Sequence, residues 1–165
     1  MTQKKLVSII GLGYVGLPLC FHISNYYKTI GFDTDKKKIE KLVLGKDITN
    51  NFSIEDLKKK KIYFTNKSNY MKGSDIFIIC VPTPINKKNK PDLRNLISAC
   101  KIVAKNLKKK STVIIESTVY PGCTENICIP ILESFSGMKC NLDFFCGFSP
   151  ERINPGDKLK TLTKI

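Results

Sequence analysis

A glycine-rich turn near the start of the chain has the residue types and spacing of a phosphate-binding loop. Gly11-Leu12-Gly13-Tyr14-Val15-Gly16 follows an apolar stretch and precedes a segment with helical apolar periodicity. In such a turn the first glycine permits a tight bend, the second lets a pyrophosphate approach the backbone, and the third lets the helix pack closely. The N–H groups and dipole of the helix then face the anion. Glycines also end strands for steric reasons alone, so the interpretation depends on the strand–turn–helix context.

An acidic residue extends this pattern towards a dinucleotide. Asp33 ends the second apolar stretch, 17 residues after Gly16, where a carboxylate can bind the ribose hydroxyls of NAD. The same carboxylate would repel the 2′-phosphate of NADP, so NAD is the expected cofactor. Three lysines follow, Lys36, Lys37 and Lys38. They weaken the preference for NAD over NADP if they reach the cofactor, and they leave it unchanged if they face water. Of these, Lys38 is included among the candidate cofactor-binding residues.

Apolar stretches alternate with segments of helical periodicity along the whole chain, which is typical of βαβ units and a parallel sheet. We predict a Rossmann-type, doubly wound α/β fold with three layers, truncated after its sixth strand. The predicted strands are Leu6–Ile10, 29–32, Ile62–Thr65, 75–81, 112–116 and 142–146. The predicted helices are 14–27, 36–44, a short one capped by residues 53–56, a fourth that Asp92 caps and that runs to about 107, and a fifth from about 124 to 135. This organisation gives one domain, 1–147, followed by a loop over 148–165.

The charge of the chain is strongly positive, but it comes almost entirely from lysine. Lys and Arg number 28 against 14 Asp and Glu, for a net charge of +14, and only Arg94 and Arg152 are arginines. Readers of nucleic-acid sequence rely on the bidentate arginine fork. We therefore attribute the lysines to solvated surfaces and expect no nucleic-acid partner. A basic nucleic-acid-binding protein remains an alternative. An NAD titration would distinguish it from an NAD-binding protein, because a nucleic-acid binder should be indifferent to NAD.

The cysteines and the single histidine do not suggest a metal site. Seven cysteines occur without a C-x-x-C pair, and His22 is the only histidine. An odd number of thiols in apolar surroundings fits free, buried cysteines in a reducing cytosol rather than a disulfide scaffold. We expect no metal and a cytoplasmic location. Cys123 and Cys128 flank the start of a helix, where a reactive thiolate is the alternative to simple packing.

The N-terminal region raises the question of export. Lys4-Lys5 precedes an uncharged stretch over 6–27, as in a signal peptide or membrane anchor. Three glycines and Pro18 interrupt this stretch, and no A-x-A-like cleavage site follows. We therefore expect no membrane partner.

Four motifs in a fixed order resemble one protein family. They are Gly11-Leu12-Gly13-Tyr14-Val15-Gly16-Leu17-Pro18, Val81-Pro82-Thr83-Pro84, Glu116-Ser117-Thr118-Val119 and Ser149-Pro150-Glu151-Arg152. Together they resemble the N-terminal domain of the UDP-glucose/GDP-mannose dehydrogenase family. The resemblance implies oxidation of the C6 hydroxymethyl group of a nucleotide sugar to a carboxylate, for polysaccharide biosynthesis. It further implies two NAD molecules per sugar, with a thiohemiacetal and a thioester on a cysteine.

The resemblance also implies roles for individual residues. Thr118 helps to hold NAD and to orient a catalytic water, and Glu151 assists hydrolysis of the thioester and lies at the substrate. Arg152 is a candidate contact to the sugar or phosphate, although an exposed loop arginine is the plain alternative. The implied cofactor-binding residues are Gly11, Gly13, Tyr14, Val15, Gly16, Asp33, Thr83 and Thr118.

One position bears on the substrate. Some members acting on UDP-glucose place a second glutamate four residues after the first, where this chain has Pro155. The run from Ser149 to Asp157 resembles instead the branch that oxidises UDP-N-acetylhexosamines. UDP-N-acetylglucosamine or one of its epimers is therefore the preferred substrate, with UDP-glucose as the alternative.

The family's central helix, second domain and nucleophilic cysteine are expected beyond residue 165. The resemblance implies that a UDP-sugar is the partner of the full-length enzyme. It also implies that only the full-length enzyme forms homo-oligomers. We expect the 165-residue chain by itself to be inactive, since the covalent step has no nucleophile. A stand-alone NAD-binding module without catalysis is the alternative.

Overall fold

A computed structural model describes residues 5–46, 61–86 and 88–150. The short helix expected after residues 53–56 and the loop beyond residue 150 lie outside this part. The strands are β1 (Leu6–Ile10), β2 (Lys28–Phe32), β3 (Ile62–Thr65), β4 (Ile76–Ile79), β5 (Thr112–Ile115) and β6 (Phe145–Phe148). The α-helices are α1 (Gly16–Ile23), α2 (Lys36–Val43), α3 (Arg94–Ala104) and α4 (Ile129–Ser136). A short 3-10 turn, Ser68–Met71, precedes β4.

The six strands form one parallel sheet in the order β3-β2-β1-β4-β5-β6. This order confirms the predicted doubly wound Rossmann-type sheet. The chain leaves β1 towards one edge and returns to β4 on the other side, so the connections diverge between β1 and β4. Open α/β sheets bind ligands at the carboxyl ends of the strands at such a switch point.

Apolar residues cover both faces of the sheet and produce three layers. In β4, Phe77 and Ile79 belong to the core on the α3–α4 side, whereas Ile78 belongs to the core on the α1–α2 side. Successive strand residues point to opposite faces, so a continuous apolar run serves both cores at once. This explains why the central strands lack the polar alternation of a half-exposed sheet.

The sixth strand begins three residues later than predicted. Asn141 has a left-handed backbone, with φ of 65°, and the Asp143 carboxylate accepts a hydrogen bond from the Lys139 N–H at 3.0 Å. Residues 141–143 therefore form a turn in which Leu142 is exposed, and Cys140 and the buried Phe144 form a bridge on either side of it. The strand itself extends to Phe148, so Gly147 and Phe148 belong to the sheet and not to the following loop.

Two helix starts also differ from the prediction. Asp92 does not cap α3 at its N-cap position; its carboxylate accepts from the Arg94 N–H and pairs with the Arg94 guanidinium. The last helix opens with a π-helical turn, Thr124–Cys128, before α4. Pro130 lies in the first turn of α4 and cannot donate a helical hydrogen bond, which accounts for the irregular start.

All seven cysteines are free, and five of them are buried. Within the described residues, no helix has the length and apolar character needed to cross a membrane.

A partly exposed ion pair lies at the amino end of β4 and predicts an acid-sensitive contribution to stability. Asp75 accepts from Lys108 Nζ at 2.6 Å and from the Leu6 N–H at 2.8 Å, and these donors hold its pKa below the ordinary value. A carboxyl whose pKa is lowered in the folded state stabilises above its unfolded pKa, and this contribution is lost as pH falls through the folded pKa.

We expect Asp75→Asn to lower the free energy of unfolding by about 1 kcal/mol at neutral pH, because the carboxylate is partly exposed. The difference from wild type should shrink below about pH 4. Urea unfolding at both pH values measures it. The matched control is Glu40→Gln, which breaks the exposed Lys36–Glu40 pair and should cost less than about 0.5 kcal/mol. A deficit that persists unchanged at low pH would contradict the assignment.

Candidate cofactor site

The glycine turn between β1 and α1 uses two of its glycines for internal packing. Gly11 has φ of +92°, and a β carbon there would lie 2.8 Å from the Cys80 carbonyl oxygen. At Gly16 a β carbon would lie 1.9 Å from the Gly11 carbonyl oxygen. Both contacts involve backbone, which cannot move aside without disturbing β1 and β4. These two positions therefore need glycine for the fold itself.

Gly13 differs from its two neighbours in the motif. A β carbon there would meet no atom within 4 Å, and its φ is not positive. Nothing inside the protein requires glycine at this position. The open space lies over the turn that leads into α1, in which the Leu17 N–H donates to the Gly13 carbonyl and the Leu19 N–H to the Val15 carbonyl, each at 3.1 Å. The steric freedom at Gly13 thus fits a bound group that approaches the backbone from outside.

Asp33 is held in place by three donors. Its Oδ2 accepts from the Leu12 N–H at 2.9 Å and from Lys38 Nζ at 2.6 Å, and its Oδ1 accepts from the Asp35 N–H at 3.0 Å. The first contact ties the carboxylate directly to the glycine turn. A carboxylate offers about four acceptor sites, so about one remains for a ligand.

Of the three lysines after Asp33, Lys38 is the one that enters the site. Its side chain is 20% exposed in the pair with Asp33, whereas that of Lys36 is 77% exposed and reaches Glu40 at 3.8 Å. Residues five apart meet here because the carboxyl end of β2 turns directly into α2. The sequence alone does not show which of the three lysines contacts Asp33, since it does not give the orientation of α2.

The loops after β4 and β5 are fastened together. The Thr83 hydroxyl donates to the Thr118 carbonyl oxygen, so the two threonines that the resemblance singled out lie side by side. The Ser117 hydroxyl donates to the Val81 carbonyl at 2.7 Å, and the Asn95 amide donates to the Pro82 carbonyl at 3.1 Å. These bonds fix the backbone that carries Thr83.

Ser117 and Asn95 are positioning residues that the sequence analysis did not identify. Ser117 lies within one of the four motifs, so its place beside Thr118 was a usable signal. Asn95 lies in the first turn of α3, where an asparagine is unremarkable. Its contact depends on how α3 packs beside the loop after β4, and the sequence does not show this.

These elements enclose a crevice of about 580 Å³ at the carboxyl ends of β1, β4 and β5. A smaller cavity of about 230 Å³ adjoins it at Asp33 and Lys38 and continues along α3 past Asn95 and Ser98. Gly16 lies beneath the turn and does not line either cavity. The other candidate cofactor-binding residues all line the crevice: Gly11, Gly13, Tyr14, Val15, Asp33, Lys38, Thr83 and Thr118.

The described residues provide no cysteine nucleophile in this crevice beyond the largely buried Cys80. Cys123 and Cys128 have no exposed surface and pack in the core on the α3–α4 side. Burial raises the pKa of the Cys123 thiol to about 11. A hydrogen bond with the Cys100 thiol instead lowers the pKa of the Cys128 thiol. Because neither side chain is accessible, the structure favours packing over reactivity for this pair. No group of histidine, cysteine or acidic side chains in the described part of the chain is arranged to hold a metal.

Glu151 and Arg152, the candidate catalytic acid and substrate contact, lie outside the described residues. The described part of the chain ends just before them, at residue 150. The Ser149 N–H donates to the Ile115 carbonyl at 3.0 Å, so the end of β6 runs beside the end of β5. Thr118 follows β5 on the same side of the sheet.

Comparison with known proteins decides the family. Residues 5–165 match the family described as "UDP-glucose/GDP-mannose dehydrogenase family, NAD binding domain". The chain belongs to this family. The UDP-glucose/GDP-mannose dehydrogenase match covers all four motifs and identifies the chain as the NAD-binding domain of this family.

Individual members of the UDP-glucose/GDP-mannose dehydrogenase family are similar over nearly the whole chain. Protein CapL of Staphylococcus aureus is 47% identical over 99% of this chain and 39% of its own length. UDP-N-acetyl-D-glucosamine 6-dehydrogenase of Salmonella typhi is 48% identical over 96% of this chain and 38% of its own. The solved structure of a UDP-D-ManNAc dehydrogenase from Pyrococcus horikoshii superposes with a TM-score of 0.85 at 35% identity, covering 92% of this chain and 37% of that one. The chain thus spans less than two fifths of the length of these relatives.

Proposed function

We propose that this chain is the cofactor-binding part of a cytoplasmic nucleotide-sugar 6-dehydrogenase that oxidises a UDP-N-acetylhexosamine to its uronic acid. The observation that carries the proposal is the crevice at the switch point, which brings the glycine turn, Asp33 and the paired threonines together. The substrate class is supported by the similar UDP-N-acetyl-D-glucosamine and UDP-N-acetyl-D-mannosamine dehydrogenases. The partner UDP-sugar and the homo-oligomeric state belong to the full-length form.

The residues of the crevice fit a dinucleotide. A pyrophosphate can approach the backbone at Gly13, where the protein leaves open space, and the start of α1 favours its negative charge. Asp33 has acceptor capacity left for one ribose hydroxyl, and Lys38 can donate to the other. When bound, NAD accepts a hydride from the substrate; the chain's own part is to hold and orient it.

The paired threonines would shape the other end of the crevice. Thr83 uses its hydroxyl proton on the Thr118 carbonyl, which leaves the Thr83 oxygen as an acceptor towards the cavity. Ser117 fixes the backbone, so the Thr118 side chain faces the crevice from an immobilised loop. A threonine held this way can contact the cofactor and orient a water molecule. Precise positioning of this kind is what catalysis by orientation requires.

Glu151 would assist hydrolysis of the thioester by accepting a proton from the attacking water. It follows Ser149, whose backbone is joined to the end of β5. Arg152 would contact the sugar or phosphate from the same loop. Both roles are carried over from the family resemblance, and both residues lie outside the described part of the chain.

The test uses the complete protein that contains these residues, incubated with NAD and one sugar nucleotide at a time while NADH absorbance is followed. We expect turnover with UDP-N-acetylglucosamine or one of its epimers, with two NADH formed per sugar. Glu151→Gln should lower kcat about 100-fold with little change in KM, and acyl-enzyme should accumulate. Glu40→Gln, which removes only an exposed ion pair on α2, is the matched control. Preference for UDP-glucose or GDP-mannose, or full activity of the Gln variant, would contradict the proposal.

A further inference from the structure

The edge of the sheet opposite the crevice carries a series of exposed lysines. The amino ends of the parallel strands meet at this edge, and a lysine occurs at the first residue of five of the six strands or within the four residues before it. We call these residues the lysine edge: Lys5, Lys28, Lys61, Lys72, Lys108, Lys109 and Lys110. Each of them is exposed.

Strand register places two of these lysines side by side. Leu6 pairs with Lys28 and Thr29 pairs with Ile62, so Lys61 adjoins Lys28 across neighbouring strands. Adjacent strands are about 4.8 Å apart, and like charges at this separation repel. The arrangement therefore has a cost for the isolated fold, which an anionic surface would relieve.

Acidic residues compensate only part of this charge. Lys108 pairs with Asp75 at 2.6 Å and Lys109 pairs with Asp143 at 3.4 Å. Lys28, Lys61, Lys72 and Lys110 form no ion pair with any acid in the described part of the chain. The lysine edge is therefore a locally positive surface.

Exposed tyrosines lie beside this edge. Tyr26 is 70% exposed and Tyr27 is 42% exposed, and both directly precede Lys28. Tyrosine has an apolar ring and a polar tip, and such side chains suit the boundary between lipid and water. Tyrosine next to lysine thus adds apolar contact to the electrostatic attraction.

We propose that the lysine edge docks the protein onto an anionic lipid surface. The edge contains no arginine among its described residues, so it lacks the fork that recognises bases or single phosphates. Lysine charges spread over several strands fit a plane of negative headgroups. Each lysine near such a plane raises the affinity for the membrane about fivefold. The crevice lies at the other end of the strands and stays open. This peripheral contact departs from the expectation, made from the sequence, that the chain has no membrane partner.

The test is cosedimentation of the purified protein containing these residues with vesicles of phosphatidylcholine and phosphatidylglycerol in about 0.1 M salt. Lys28→Gln/Lys61→Gln/Lys72→Gln should weaken binding by about 100-fold, given about fivefold for each lysine. The matched control, Lys37→Gln/Lys88→Gln/Lys90→Gln, removes the same charge from exposed positions that follow the carboxyl ends of β2 and β4. It should change binding less than about threefold. NAD binding should be the same for both variants and wild type.

Three outcomes would overturn the proposal. Equal losses for the two triple variants would show that overall charge, and not this edge, attracts the lipid. Failure to bind anionic vesicles, or equal binding to vesicles of phosphatidylcholine alone, would exclude it. Tighter binding to a single-stranded oligonucleotide than to the vesicles in the same buffer would replace lipid by nucleic acid. These outcomes do not depend on the proposed dehydrogenase activity.

Discussion

Valine in place of Gly13 is expected to abolish NAD binding without unfolding the protein. The β carbon at this position meets no protein atom within 4 Å and φ is not positive, so the free energy of unfolding should change by less than about 1 kcal/mol. The isopropyl group would occupy the space through which a pyrophosphate approaches the backbone. We expect the dissociation constant for NAD, measured by calorimetry, to rise at least about 100-fold.

The matched comparison is Gly16→Ala in the same turn. Its β carbon would lie 1.9 Å from the Gly11 carbonyl oxygen, so α1 must move away from β1. We expect a loss of more than about 3 kcal/mol in stability, with weaker NAD binding as a consequence of unfolding. Thermal melting separates the two variants. If valine at Gly13 unfolds the protein, or leaves NAD binding intact, the assignment of Gly13 to the cofactor is wrong.

The second large effect is expected at Asp33 and concerns the choice between NAD and NADP. In the wild type the carboxylate neutralises Lys38 and repels a 2′-phosphate. Asp33→Asn keeps the size of the side chain and frees the ammonium group at the ribose end of the crevice. A hydrogen bond to a charged group contributes about 2 kcal/mol, so the ratio of NADP to NAD dissociation constants should fall about 30-fold.

Lys38→Gln provides the opposite control. Without the ammonium group, the Asp33 carboxylate has no cationic partner, and NADP should be rejected more strongly than in the wild type. Both ratios follow from titrations of the two dinucleotides with each variant. A ratio that stays at its wild-type value in Asp33→Asn would show that this pair does not set cofactor preference.

The fold could be predicted from the sequence because its strongest signals are local. Five of the strands appear as short apolar runs bounded by turns, and Gly11 and Asp33 directly follow the first two. The sixth strand was misplaced because Leu142 begins an equally apolar stretch. Its side chain is 82% exposed, and the left-handed Asn141 delays the strand until Phe145. A turn conformation of this kind is not visible in an apolar pattern.

The site residues that belong to sequence motifs could be predicted. Those that depend on how helices pack against the sheet could not. Thr83 and Thr118 are 35 residues apart, and only the resemblance connected them before their hydrogen bond was seen. The choice of Lys38 among three lysines depends on the rotation of α2 about its axis. The support that Asn95 gives to Pro82 depends on where α3 packs. Such contacts follow from tertiary structure, which spacing along the chain does not determine.

The most direct test of the central claim is to follow backbone amide resonances of the chain while NAD is added. The account predicts that the largest shifts occur at the glycine turn, at Asp33 and Lys38, and at Thr83 and Thr118, around the crevice between β1 and β4. Amides at the lysine edge should remain unchanged. Shifts confined to another surface, or none at millimolar NAD, would contradict the assignment of this crevice to the cofactor.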